Sequence, residues 1–61
     1  MSGFALKLER LRRDLSQWDL GRLSNIPPYR ISEIECERAE ARPDEADRLR
    51  RALDEIDPVR G

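Results

Sequence analysis

Near the middle of the 61-residue chain stands Asn25-Ile26-Pro27-Pro28, which forbids a continuous helix through that point. Asn25 tolerates the left-handed conformation that ends a helix. Ile26 precedes a proline and is biased away from helical angles. Pro28 suits the first turn of a new helix, where its missing N–H is no loss. The flanking residues complete two short helices around this turn. Ser16 is an N-cap residue, and Asp19 three positions on can reach back to the cap's free N–H, a variant of the capping box. Leu20 and Leu23 give the first helix an apolar side. Gly21 between them lowers helix propensity, which makes sense where another helix crosses closely. Ile31 and Ile34 give the second helix an inward stripe, turning Tyr29, Arg30, Ser32 and Glu33 outward. The pattern predicts helices over roughly Gln17–Ser24 and Pro28–Cys36.

A helix is expected on each side of this unit. Phe4, Leu8, Leu11 and Leu15 recur at i, i+4, i+7 and i+11 and predict the buried face of a first helix that ends near Asp14. Leu6 lies off that stripe and faces a second neighbour, and residues 1–3 are expected to fray. A polar link from Glu37 to Arg42 leads to Pro43-Asp44-Glu45. There a proline in the first turn and acids near the positive end of the dipole open a last helix. Ala46, Leu49, Leu53 and Ile56 form its apolar stripe, Asp57-Pro58 stops it, and residues 59–61 make a short tail. No segment alternates as a strand does, and no repeat is present. The chain reads as one all-α domain over residues 1–61, with four or five short helices.

Composition narrows the function. A chain this short buries only about 60% of its unfolded surface, so a tight helical fold or a dimer is expected. One cysteine allows no intrachain disulfide, histidine is absent, and no cofactor or metal cluster is indicated. That usage fits a reducing, cytoplasmic setting. No apolar run approaches the roughly 18 residues that span a membrane, and the N-terminus lacks a signal peptide's apolar stretch. The formal net charge is −1, distributed as net +1 over residues 1–42 and −2 over residues 43–61. A DNA-facing surface would therefore rest on local arrangement of Arg10, Arg13, Arg30, Arg38 and Arg42, with the acidic last helix pointing away. An enzyme is not expected. No nucleophile site or glycine-rich phosphate loop is present, and Glu33, Glu35 and Glu37, spaced two apart, do not share a helix face.

The central stretch resembles the helix-turn-helix of the lambdoid phage repressor and Cro family. The resemblance is carried by Ser16-Gln17, then Leu20 with small Gly21, the turn Asn25-Ile26, and Ile31-Ser32-x-Ile34-Glu35, aligned without a gap; a looser likeness runs from about Leu6 to Leu53. It implies a compact lambda-repressor-like DNA-binding domain. Asp14, Asn25 and Glu37 stand where that family commonly has glycine, and Ser24 stands where it has an apolar residue, for which Leu23 would compensate.

The resemblance also implies roles. Gln17, first in its helix, would contact a DNA phosphate or brace the recognition helix. Pro28, Tyr29, Ser32 and Glu33 hold the positions that read the major groove. Tyr29 offers a hydroxyl and a ring face, Ser32 bonds several base edges, and Glu33 accepts from a cytosine amino group while repelling phosphates. Arg30 would serve a base or a phosphate, and Arg38 and Arg42 would clamp the backbone of one strand. Arg10 and Glu35 would form a partly buried ion pair between the first helix and the recognition helix. Trp18 has three open roles: stacking on a sugar-phosphate edge, filling a partner surface, or folding back over the first helix. Cys36 is an ordinary surface or half-buried thiol. Leu53, Ile56 and Val59 are candidates for a two-fold dimer contact.

The expected function is sequence-specific binding of double-stranded DNA by a homodimer, without a small-molecule ligand. It would act as a bacterial or phage transcriptional regulator that occludes a promoter, with half-sites about 10 base pairs apart. The rival is a protein-interaction module on the same fold, such as an antitoxin or adaptor, presenting Trp18, Tyr29 and the acids to a partner.

Overall fold

The computed structural model describes residues 2–59. Residue 1 of the expected frayed start and residues 60–61 of the expected tail lie outside that range. Four helices and no strand occur among the described residues: α1 (Gly3–Arg12), α2 (Gln17–Ser24), α3 (Pro28–Glu35) and α4 (Pro43–Asp54). Each begins at a residue chosen for the purpose. The Ser2 hydroxyl accepts the Ala5 N–H, so α1 is capped from its first residue and Gly3 is buried rather than frayed. Ser16 and Asp19 close the reciprocal capping box of α2. Pro28 and Pro43 open α3 and α4.

The helix ends share a different device. Asp14 (φ 55°), Asn25 (φ 58°) and Glu37 (φ 59°) adopt left-handed conformations immediately after α1, α2 and α3. These three residues thus occupy turns where glycine fits best.

The core is built from Leu6, Leu20, Ile26, Ile31, Ile34, Leu49, Ala52 and Leu53, with Leu15 and Ala41 packed against it. The Cα radius of gyration is 10.3 Å, close to the roughly 10.5 Å of a packed chain this long. Helix α1 is turned away from the expected orientation. Phe4, Leu8 and Leu11 are 63%, 43% and 53% exposed, whereas Leu6 is fully covered. The inward residues of α1 are Gly3, Leu6 and Arg10, at i, i+3 and i+7. Two contacts set this rotation. A Cβ at residue 3 would overlap the Ile34 carbonyl oxygen, so glycine lets α1 close onto the last turn of α3. Arg10 reaches Glu35 from the same face. The stripe Phe4, Leu8, Leu11 lies roughly a third of a turn away.

Two smaller expectations are also corrected. Leu23 is exposed and does not stand in for Ser24. Ser24 itself is buried, with its hydroxyl donating to the Leu20 carbonyl at 2.7 Å. Gly21 makes room for the Ile26 carbonyl and for the Pro28 ring at the start of α3, as its small size suggested. Helix α1 ends at Arg12, near Asp14 as expected, whereas α4 ends at Asp54, before Ile56 and the expected stop at Asp57-Pro58.

The left-handed helix ends carry a prediction. Glu37 has the longest side chain of the three and no short amide or carboxylate suited to that conformation. Glu37→Gly is expected to stabilise the domain by about 0.5–1 kcal/mol, more than Asn25→Gly, as read from urea unfolding midpoints.

Candidate nucleic-acid interface

The α2–turn–α3 unit is fastened to the rest of the molecule by arginines. Arg10 donates through Nε to Glu35 Oε2 at 2.7 Å and through Nη2 to Glu35 Oε1 at 3.0 Å. Its Nη1 donates to the Leu15 carbonyl at 2.8 Å. Both side chains of the pair are almost wholly covered. Gln17 Nε2 donates to the same Glu35 Oε1 at 3.1 Å. The first residue of α2 is thereby tied to the last residue of α3, and both are tied to α1. With its Nε2 on Glu35, Gln17 braces α3 as one of its two expected roles requires.

Arg30 is not part of an exposed binding surface. Its Nε and Nη2 donate to Glu45 at 3.0 and 2.8 Å, and Nη2 also donates to the Glu40 carbonyl. Its guanidinium clips α3 to the start of α4. Glu45 additionally accepts the Arg42 backbone N–H at 3.0 Å. The Arg30 guanidinium and that N–H hold the Glu45 carboxyl down from its ordinary 4.5 to about 2. The Arg42 side chain stays mostly exposed and leans on Asp44 and Glu45.

Arg13 and Arg48 have roles the sequence did not disclose. Arg13 Nε donates to the Leu53 and Ile56 carbonyls, both at 2.8 Å, closing the C-terminal end of α4. Arg48 donates to the Ser24 and Asn25 carbonyls and closes the end of α2. Neither contact has a local spacing that announces it. The Glu45 contact did have a signal, because Glu45 is the third residue of α4 and reaches back to its N-cap, Arg42.

The outward face of α3 carries Tyr29, Ser32, Glu33 and Cys36, at i, i+3, i+4 and i+7. Tyr29 is 70% exposed, Ser32 and Glu33 are half-buried, and the Cys36 thiol is free and exposed. Among the described residues, Tyr29, Ser32 and Glu33 have no side-chain hydrogen bond and no ion pair. Arg38, just beyond on the next turn, is exposed and likewise has no ion pair among the described residues. Pro28 begins the helix and lines a shallow concavity of about 330 Å³ with Trp18, Gly21, Arg22, Asn25, Ile26 and Pro27. Trp18 is 72% exposed, so it does not fold back over α1.

The candidate dimer residues separate. Leu53 is buried in the core, because α4 turns Glu45, Leu49, Ala52 and Leu53 inward, and it cannot meet a second copy. Ile56 is half-buried. Val59 is exposed, and its N–H donates to the Arg12 carbonyl at 2.7 Å, which brings the chain back to the end of α1. Among the described residues, no helix is long and apolar enough to cross a membrane, and no group of side chains is arranged to hold a metal ion.

Two predictions follow from the ion pairs. Arg10→Met strands the Glu35 carboxylate in a covered site and costs about 3–5 kcal/mol, enough to unfold much of a domain this small. Replacing both partners, Arg10→Met with Glu35→Leu, recovers most of that loss; urea melts of the wild type, both single variants and the double variant measure the coupling. For Glu45 the folded-state pKa lies below the unfolded one. Its contribution is therefore complete above about pH 4.5 and is lost as the pH falls toward about 2. The stability difference between wild type and Glu45→Gln should shrink over that window, as followed by thermal melts. Compared with known protein families, with curated proteins and with solved structures, the chain matches none.

Proposed function

We propose that this chain binds double-stranded DNA in a sequence-specific manner, laying α3 in the major groove as a lambda-repressor-like domain does, and acts as a non-enzymatic, cytoplasmic transcriptional regulator of bacterial or phage origin. The observation that carries the reading is the division of labour on α3. Its back is fixed by Ile31, Ile34 and the Arg10–Glu35 pair. Its front presents Tyr29, Ser32 and Glu33 with no intramolecular bond among the described residues. A helix held rigidly from behind with unsatisfied polar groups in front is what direct readout needs. Gln17 and Arg38 flank that face and suit phosphate contacts; the exposed Arg42 is a weaker third.

Charge argues for two copies. With a net charge of −1 and several arginines engaged inside the fold, one domain has little unspecific attraction for a polyanion. Pairing across a palindrome supplies the missing affinity. Exposed Phe4, Leu8 and Leu11 on α1, with Val59 near its end, are the apolar surface open to a second copy. The same stripe favours the second reading, a protein-interaction module that docks a different partner there.

Selection from a pool of random duplex DNA at two salt concentrations tests the reading. Enrichment of a two-fold symmetric site, weaker at higher salt, supports it, whereas no enrichment at low salt shifts the function to protein interaction. On the selected site, Glu33→Ala is expected to relax preference at one base pair by about 1–3 kcal/mol. It should also raise affinity for unrelated DNA, because a carboxylate facing phosphates is gone; competition titrations measure both.

A further inference from the structure

Trp18 is the largest apolar side chain of the molecule left in water, and it stands at a defined place. It occupies the first turn of α2, on the flank that faces α3. Its ring borders the concavity whose far wall is Pro27 and Pro28, and Pro28 is the first residue of α3. Arg22 lines the same concavity one turn after Trp18. Its side chain is 79% exposed and, among the described residues, is held only by Asp19, at 2.9 Å. An exposed pair of this kind contributes little, so Arg22 is easily recruited by a stronger anion. Asp19 stays behind, because its other oxygen accepts the Ser16 N–H.

When the second helix of such a unit enters the major groove, its N-terminal residues approach the bases and the first helix crosses the phosphate backbone. Here the first turn of α2 and the start of α3 meet at Trp18 and Pro28. The strand passing that junction presents an apolar deoxyribose face and a phosphate in succession. An aromatic ring covers the first and a guanidinium neutralises the second.

Resting on the DNA-binding reading above, we propose that Trp18 packs on a deoxyribose of the strand flanking the recognised bases, with Arg22 on the adjoining phosphate, as a sequence-independent anchor that sets the register of α3. Trp18 thus serves affinity and position, while Tyr29, Ser32 and Glu33 serve sequence choice.

The test uses the full chain and the duplex recovered by selection. Trp18 is the only tryptophan, so its emission reports its own surroundings. DNA binding is expected to quench that emission. Trp18→Ala should weaken binding about tenfold, by the same factor on the selected duplex and on one mutated at its central bases, with Trp18→Phe intermediate. Arg22→Gln should lower the slope of log affinity against log salt by about 1. Trp18 is exposed, and unchanged helical circular dichroism in Trp18→Ala would verify that folding is intact. Tight binding by wild type with unaltered Trp18 emission and full affinity in Trp18→Ala would overturn the anchor and leave the DNA-binding reading standing. A Trp18→Ala loss confined to one base pair would overturn sequence independence. Failure of wild type to retain any duplex would overturn both.

Discussion

The buried pair between Arg10 and Glu35 is the constraint around which the molecule is arranged. It joins the helix that begins the chain to the helix that ends the central unit, and it permits only one rotation of α1. The alternative would bury Phe4, Leu8 and Leu11. About half of that surface is already covered, so complete burial would contribute about 3–4 kcal/mol. Against it stand about 3–5 kcal/mol for a stranded Glu35, about 2 kcal/mol for Leu6 brought into water, and the loss of the one glycine that fits beneath Ile34. The ion pair and Gly3 prevail, and an apolar stripe is left facing solvent. A surface suited to association is thus a consequence of how the inner contacts are satisfied.

Arginine carries out several tasks that other small domains give to glycine caps and larger cores. Arg13 and Arg48 each donate to main-chain carbonyls at or after a helix end, and Arg10 and Arg30 donate to carbonyls of the links between helices. The orphan carbonyls of those ends would otherwise rely on water. The planar fork of a guanidinium reaches across to another helix while its stem covers apolar surface. These residues therefore add charge to the composition without adding it to an outer face, and counting basic residues overstates what the surface offers a polyanion.

This explains which parts of the fold the sequence disclosed. The α2–turn–α3 unit was legible almost residue by residue, because its determinants are local: Ser16 with Asp19, Asn25 before Pro27-Pro28, Ile31 with Ile34. The rotation of α1 was legible only in part: the resemblance implied the Arg10–Glu35 pair, but the fit of Gly3 beneath Ile34, far along the chain, has no local signal. The regular spacing of Phe4, Leu8 and Leu11 described an apolar face correctly and placed it on the wrong side. Arg30 misled for a related reason. Its position on the flank of α3 fits a DNA contact equally well, and only the fold reveals Glu45 beside it. Tyr29, Ser32 and Glu33 were assigned outward from the positions of Ile31 and Ile34, a local inference that the geometry of α3 matches.

The candidate surface combines a neutral tyrosine, a serine and a carboxylate on α3 with an exposed tryptophan on α2. Such a set gains little from bulk attraction, since Glu33 opposes phosphates and the chain as a whole is slightly acidic. Non-specific affinity for DNA comes almost entirely from phosphate neutralisation. A face that forgoes most of that attraction has a low background on unrelated sequence, and the ratio of specific to non-specific binding rises even though both are weaker. Two copies on a symmetric site restore affinity where both halves fit and nowhere else. On the proposed reading, a near-neutral α3 on a rigid support is coherent with an apolar stripe elsewhere on the surface: discrimination would lie on one face, and the affinity that discrimination gives up would be supplied by association through another.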